Sequence, residues 1–121
     1  MISTKVGRVL DKITPENKSE DDSLGSYVDV DPTLTPIFDF SREGILRSIE
    51  ESLARLKIPA IDIAYIHDAD DRIGEAIEKS YPVLDELRTQ GVIKGIGVGM
   101  NYCAPSIKAV KEMDLDIILI A

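Results

Sequence analysis

The feature that most constrains the fold of this chain is the alternation of short apolar runs with amphipathic helical segments. The apolar runs predict four buried strands, at Ile2 to Val6, Ile61 to Ile66, Val92 to Gly99 and Leu115 to Ile120. Helical spacing of apolar residues predicts three helices between them, at about Arg42 to Lys57, Ile73 to Leu87 and Pro105 to Met113. Strands that alternate with helices are typical of parallel βαβ units with right-handed crossovers. The predicted fold class is α/β, built from parallel β/α units.

The length of the chain limits which parallel fold it forms. A complete eight-stranded (β/α)8 barrel needs about 250 residues, and this chain has 121. The units therefore predict about half of a TIM-type barrel, with an open doubly wound sheet as the alternative. A half-barrel exposes two parallel edges, which favour association with another chain. We expect a fragment of a longer barrel, with self-association through the open edges as the second interpretation.

A segment from about residue 9 to residue 40 departs from this alternation. It contains the three prolines Pro15, Pro32 and Pro36 and is rich in acids, among them Glu16, Glu20, Asp21, Asp22, Asp29, Asp31 and Asp39. Connections longer than about 12–15 residues are uncommon and are either functional or disordered. The composition predicts a long loop, and two interpretations stay open: a flexible surface insertion or a lid over a site.

Charge and cysteine content exclude several classes of function. The chain has 14 Lys and Arg against 22 Asp and Glu, a formal net charge of −8. An acidic chain lacks the phosphate-neutralising cations that nucleic acids and anionic membrane surfaces require. The single cysteine, Cys103, forms no internal disulfide, which favours a cytoplasmic location. One histidine and one cysteine cannot build a zinc site of the usual Cys/His kind.

Polar residues follow three of the predicted strands where each strand ends. Lys5 lies near the end of the first, His67 and Asp68 end the second, and Met100 and Asn101 follow the third. Both barrels and open parallel sheets place their sites at this carboxyl edge. A histidine there donates a hydrogen bond to a substrate oxygen, and a lysine lowers the pKa of a neighbouring acid through its charge. Taken alone, a lysine at a strand end is more often simply solvated, and a lone histidine there is more often structural.

Other motifs carry weaker signals. Asp68, Asp70 and Asp71 are suited to a magnesium ion or a phosphoryl group in an open-sheet domain, but we favour capping of the helix that follows. Alternating glycines at 95, 97 and 99 lie within a strand, so they favour close packing over dinucleotide binding. Cys103 has no acid–base partner nearby in the sequence, so we expect it to be buried and structural.

Taken together, these segments resemble the aldo-keto reductases, closest to the sugar-oxidising branch. The run Ile-Ser-Thr-Lys-Val-Gly-Arg at 2–8 resembles the third barrel strand of that family with its catalytic lysine. The stretch from Ser41 to His67 resembles its third helix, fourth strand and catalytic histidine. The run from Leu84 to Val98 resembles its fourth helix and fifth strand. The resemblance implies one partial barrel over residues 1–121, from the third to the sixth strand of the family.

The same resemblance implies a function. It implies direct hydride transfer between NAD or NADP and an aldose or a related hydroxyl or carbonyl compound. Lys5 and His67 match catalytic positions of the family, and Asn101 with Met100 matches the cofactor side. The family also uses an Asp and a Tyr that precede the lysine, where this sequence has only residues 1–4. The tyrosines at 27, 65, 81 and 102 lie in other segments, so we expect the isolated chain to be inactive.

Overall fold

The computed structural model describes residues 1–18 and 31–121. In chain order, its strands are β1 (Ser3–Val6), β2 (Arg8–Lys12), β3 (Leu34–Phe38), β4 (Ile63–His67), β5 (Gly95–Met100) and β6 (Ile117–Ile120). The helices are α1 (Arg42–Leu56), α2 (Ile73–Glu75), α3 (Tyr81–Thr89) and α4 (Cys103–Glu112). A 3-10 turn (Asp70–Arg72) precedes α2, and a π-helical turn (Ala76–Ser80) joins α2 to α3.

Four of the strands form one parallel sheet in the order β1-β4-β5-β6. The pairing aligns Lys5 with Tyr65, His67 with Gly99, and Met100 with Ile120. Each of the four strands overlaps one of the predicted apolar runs, with ends that differ by up to three residues, so the predicted parallel β/α architecture is confirmed.

The predicted loop from about residue 9 to residue 40 is wrong at both ends. Strands β2 and β3 pair there as an antiparallel hairpin, from Arg8 opposite Phe38 to Lys12 opposite Leu34. Pro36 argued against a strand, but proline is tolerated in an edge strand, and this two-stranded sheet consists of edges only. The middle of the predicted loop, residues 19–30, lies outside the described residues, and so does the choice between a lid and an insertion.

Helix α1 follows the prediction closely. The Ser41 side chain accepts a hydrogen bond from the Gly44 backbone N–H at 3.1 Å, which makes it the N-cap. The second predicted helix is broken into pieces. Pro82 stands in the first turn of α3 and has no N–H to donate to the preceding turn, where the π-helical turn lies. Among the helices of residues 1–18 and 31–121, none is both long and apolar enough to cross a membrane.

The two faces of the parallel sheet differ. One face is covered by the helices, and its core contains Val6, Ala64, Ile66, Ile96, Val98 and Met100, with Ile45 and Leu84 from the helices. The opposite face, which we call the open face, carries Lys5, Tyr65, His67, Gly97, Gly99 and Ile117. Since strand side chains alternate between faces, the polar strand ends and the alternating glycines share the open face.

Candidate functional site

Lys5 reaches across the open face from one strand to another. Strand β4 lies between β1 and β5, yet a Cβ built on Gly99 of β5 lies 3.5 Å from Lys5 Cε and 3.8 Å from Lys5 Nζ. The lysine side chain therefore crosses β4 near its carboxyl end, where His67 is paired with Gly99. The structure thus brings Lys5 and His67 together.

The environment of His67 favours a neutral imidazole. Its side chain is about one quarter exposed (24%). Burial lowers the pKa of His67 below 6.5, and the positive charges of Lys5 and Arg8 lower it further, against the opposing effect of Asp68. At neutral pH this histidine is a hydrogen-bonding group without charge.

Asp68 is held at the end of β4 in a bent backbone conformation. Its φ is +47°, and its backbone N–H donates to the Gly99 carbonyl at 2.8 Å. Its Oδ2 lies 3.2 Å from His67 Nε2 and 3.6 Å from Arg8 Nη1. The carboxylate therefore lies between the histidine and an arginine at the edge of the site.

Asn101 is exposed, and two carboxylates hold it in place. Its Nδ2 donates to Asp68 Oδ1 at 3.3 Å and to Asp70 Oδ2 at 3.1 Å. Asp70 Oδ1 accepts from the backbone N–H groups of Asn101 and Tyr102, each at 2.9 Å. Burial opposes ionisation of Asp70, but these hydrogen bonds prevail, so the pKa of Asp70 lies below 3.8. Because the amide N–H groups of Asn101 are engaged, its Oδ1 is the atom suited to a ligand.

The prediction that Asp68, Asp70 and Asp71 cap the helix that follows them is wrong. No side-chain hydrogen bond caps the turn that begins at Asp70, and Asp70 instead binds the backbone of the loop after β5. The reason is tertiary, because parallel pairing places the ends of β4 and β5 side by side. The magnesium alternative is not supported, since in residues 1–18 and 31–121 no group of three or more His, Cys, Asp or Glu is placed to hold a metal ion.

Two further residues lie elsewhere than the sequence suggested. The side chain of Met100 is 1% exposed and belongs to the core on the helix-covered face, away from Lys5 on the open face. Cys103 is exposed rather than buried, because it lies in the first turn of α4. The structure therefore brings Lys5, His67 and Asn101 together at the strand ends and places Met100 apart from them.

The glycines of β5 allow larger side chains to lie flat on the open face. A Cβ built on Gly97 would be 2.7 Å from Tyr65 Cδ1 and 2.8 Å from Ile117 Cγ2. Such separations are too short for any side chain at position 97 without movement of its neighbours. The expectation that these glycines permit close packing is confirmed at Gly97.

The tyrosines occupy separate environments. Tyr65 lies on the open face and is paired with Lys5, whereas the Tyr81 hydroxyl accepts from the Asp114 backbone N–H at 3.2 Å. Tyr102 is exposed, and Tyr27 lies outside the described residues. Of the described tyrosines, Tyr65 alone shares the open face with Lys5.

Sequence reasoning missed a cationic and aromatic cluster beside the site. The Arg8 guanidinium lies 5.2 Å from the ring centre of Phe38, and Arg72 lies 5.2 Å from that of Phe40. These residues are distant in the sequence and meet through the hairpin. The one local signal in the sequence was Arg8 itself, a cation that comes directly after strand β1 and Gly7.

Comparison with known proteins identifies the family. The profile of the Aldo/keto reductase family matches residues 1–120. The chain belongs to this family. It is 35% identical over 122 residues to D-threo-aldose 1-dehydrogenase from Pseudomonas sp and 33% identical over 132 residues to pyridoxal 4-dehydrogenase from Microbacterium luteolum. All of the chain is covered in both comparisons, but only 37% of each relative. The chain thus spans little more than a third of the length of these curated relatives.

Solved aldo-keto reductases share the fold. An aldo-keto reductase from Bacillus halodurans matches 98% of the chain with a TM-score of 0.62 and 24% identity, and 33% of that protein is covered. A glycerol dehydrogenase from Gluconobacter oxydans matches 98% with a TM-score of 0.65 and 22% identity, and 31% of it is covered. The parallel sheet and its helices therefore have the fold of a section of a TIM-type (β/α)8 barrel.

Proposed function

We propose that this chain is the section of an aldo-keto reductase barrel, from the third to the sixth strand of the family, that supplies Lys5 and His67 to catalysis. The reaction proposed for the whole barrel is oxidation of an aldose, or of a related hydroxyl or carbonyl compound, with NAD or NADP. The names of the two relatives, an aldose and a pyridoxal dehydrogenase, support this substrate class.

One observation carries the proposal. Lys5, His67 and Asn101 come from three adjacent elements of the parallel sheet, and all lie at its carboxyl edge. This edge is where barrel enzymes place their active sites, whereas the opposite edge serves stability. His67 and Asn101 are held in place by contacts with Asp68 and Asp70, as a pre-organised site requires.

The two catalytic residues have distinct roles in this proposal. Neutral His67 forms a hydrogen bond to the reacting oxygen and orients it. Lys5 supplies a positive charge at the strand ends, which would lower the pKa of the tyrosine that the family places before this lysine, and that tyrosine would take the hydroxyl proton. Loss of either group leaves the other in place, so each variant is expected to be impaired rather than unfolded.

The residues present fit one end of a nicotinamide cofactor. Asn101 offers its Oδ1, a hydrogen-bond acceptor that suits the N–H donors of a carboxamide, while the carboxylates of Asp68 and Asp70 beside it would repel a pyrophosphate. When bound, NAD or NADP accepts the hydride that the substrate carbon loses. Asn101 would hold its carboxamide, and the buried Met100 would anchor the strand end from which Asn101 projects.

A chimaera tests the proposed function directly. Residues 1–121 replace the aligned segment of D-threo-aldose 1-dehydrogenase from Pseudomonas sp, and reduction of NAD⁺ and of NADP⁺ is followed with a series of aldoses. We expect turnover, and we expect Lys5→Met and His67→Gln to lower kcat/KM by about 10²–10⁴-fold. A folded chimaera without turnover would contradict the proposed function.

A matched control separates charge from position. Lys108→Met removes the same charge from an exposed position on α4, away from the strand ends. We expect it to leave kcat/KM unchanged. Equal losses for Lys5→Met and Lys108→Met would refute the role of Lys5.

A second candidate function is self-association through the sheet edges. Strand β6 is an edge of the parallel sheet, and three of its residues are partly exposed: Ile117 at 38%, Leu119 at 48% and Ile120 at 50%. An exposed apolar edge strand is a template for pairing with another chain. Sedimentation equilibrium of the 121-residue chain over a wide concentration range checks this, and a monomer at every concentration would exclude it.

The proposed location is the cytoplasm, which the free thiol of Cys103 supports.

A further inference from the structure

The backbone of Asp68 is bent in a way that few residue types accept. Among the non-glycine residues described, only Lys57 and Asp68 have a positive φ. Aspartate and asparagine tolerate this conformation better than other side chains, and retained strain of this kind clusters at functional sites. The hydrogen bond from the Asp68 N–H to the Gly99 carbonyl holds the bend.

The Asp68 carboxylate contacts three elements at once. Its Oδ2 lies 3.2 Å from Nε2 of His67 at the end of β4, and 3.6 Å from Nη1 of Arg8 on β2. Its Oδ1 accepts from Asn101 Nδ2 in the segment after β5, at 3.3 Å. One carboxylate therefore joins the proposed substrate-side residue, His67, to the proposed cofactor-side residue, Asn101.

We propose that Asp68 is a positioning residue, whose carboxylate determines which nitrogen of His67 carries the proton and couples that histidine to Asn101. This inference rests on the proposed function, since it assigns how His67 is prepared for the reaction. Asp68 itself contacts neither the reacting oxygen nor the hydride acceptor in this proposal.

The chemistry follows from the tautomers of imidazole. A neutral histidine has one N–H donor and one acceptor nitrogen, and a carboxylate beside one nitrogen favours the proton at that nitrogen. With the proton on Nε2 beside Asp68, Nδ1 is the acceptor. The proton position therefore decides which imidazole nitrogen of His67 donates and which accepts in the site.

The charged groups that face His67 shift its pKa in opposite directions, so variants that remove them should do the same with the signs reversed. Lys5 from β1 and Arg8 from β2 lower the pKa of His67, whereas Asp68 raises it. Removal of the Asp68 charge should therefore lower the pKa of His67, and removal of the Arg8 charge should raise it. These pKa shifts follow from charge alone, so the tautomer of His67 is the reading that separates a positioning role for Asp68 from a purely structural one.

NMR titration of the 121-residue chain tests the inference, because His67 is its one histidine and gives an unambiguous signal. The probe is the imidazole itself, ¹⁵N-labelled, in wild type, Asp68→Asn, Arg8→Gln and the control Asp71→Asn. Asp71 is an exposed aspartate three residues away. For Asp68→Asn we expect the pKa of His67 to fall, because the variant removes a negative charge 3.2 Å from Nε2. We also expect the ¹⁵N shifts of that variant to show loss of the preference for a proton on Nε2.

The outcomes separate this inference from the proposed function. Asparagine accepts a positive φ, so Asp68→Asn should keep its fold, which circular dichroism checks; Arg8→Gln gives a second reading that leaves Asp68 intact. If Asp68→Asn matches Asp71→Asn in both pKa and tautomer, Asp68 is not a positioning residue, whatever the chimaera does. If the NMR shifts appear but the chimaera is inactive, the proposed function fails and the coupling stands. In an active chimaera, Asp68→Asn should lower kcat with little change in KM and move the acidic limb of the pH profile to lower pH.

Discussion

Substitution of Gly7 by alanine should destabilise the chain for two separable reasons. Gly7 has φ +87°, a conformation that costs an L-residue roughly 1–2 kcal/mol. A Cβ at this position would also lie 2.6 and 2.7 Å from Cδ1 and Cε1 of Phe40. The Phe40 side chain is 0% exposed, so its ring cannot move aside freely, and overpacking of this kind typically costs about 1–3 kcal/mol. We expect Gly7→Ala to lower the free energy of unfolding by roughly 2–5 kcal/mol.

Two other glycines divide this cost into its parts. Gly91 has φ +75° but open space around its Cβ position, so Gly91→Ala should cost only the conformational part, roughly 1–2 kcal/mol. Gly74 has neither a positive φ nor a neighbour within 4 Å of its Cβ position. Because it lies in α2, Gly74→Ala should stabilise the chain by about 0.5–1 kcal/mol.

Urea unfolding, followed by circular dichroism, measures all three variants against wild type. The predicted order of stability is Gly74→Ala above wild type, then Gly91→Ala, then Gly7→Ala. An equal loss for Gly7→Ala and Gly91→Ala would show that the Phe40 ring gives way without cost, and would refute the packing argument. A stabilised Gly7→Ala would refute the conformational argument as well.

Three further predictions concern charges. Lys5→Met should raise the pKa of His67, since it removes a positive charge that lowers that pKa. NMR titration checks this, with Lys108→Met as the control. An unchanged pKa would show that Lys5 and His67 lie too far apart to interact. Arg88 forms ion pairs with three carboxylates at 3.1 Å or less, and Arg88→Met removes their shared cation. We expect this variant to lower the free energy of unfolding by about 1–2 kcal/mol. Urea midpoints measure the loss, which high salt should diminish. The hydrogen bond from the Ile96 N–H lowers the pKa of Asp116 below 3.8. The stabilisation by the Asp116 carboxylate is therefore present above that pH and is lost as pH falls through the folded pKa. The difference in stability between wild type and Asp116→Asn should close in acid, and a difference independent of pH would contradict this.

The sequence was sufficient for the elements whose signals are local. The N-cap at Ser41 and the apolar spacing that follows it predicted α1 from Arg42. The apolar runs predicted the four parallel strands because a strand buried in a covered sheet needs nearly continuous apolar residues. The hairpin β2–β3 was missed because its partners are separated by a long connection and one strand contains Pro36.

At the site, the sequence predicted the edge but not the contacts along it. Lys5, His67 and Asn101 were placed at strand ends by the strand assignment alone. The roles of Asp68 and Asp70 were mistaken because a carboxylate before a helix usually binds that helix, and here the partners come from the segment after the neighbouring strand. Met100 was placed after the strand because the predicted strand ended at Gly99, whereas β5 continues through Met100 and turns its side chain into the core.

The sequence by itself determined the order of strands and helices, and with it the parallel sheet and the edge where polar groups gather, because hydrophobic periodicity and caps act between residues close in the chain. The tertiary structure alone decided that Lys5 crosses β4 to Gly99, and that Asp68 lies between His67, Arg8 and Asn101. Those contacts depend on strand register and on a hairpin that joins distant segments. The proton position on His67 is set by such contacts, so it belongs to the fold rather than to any local motif.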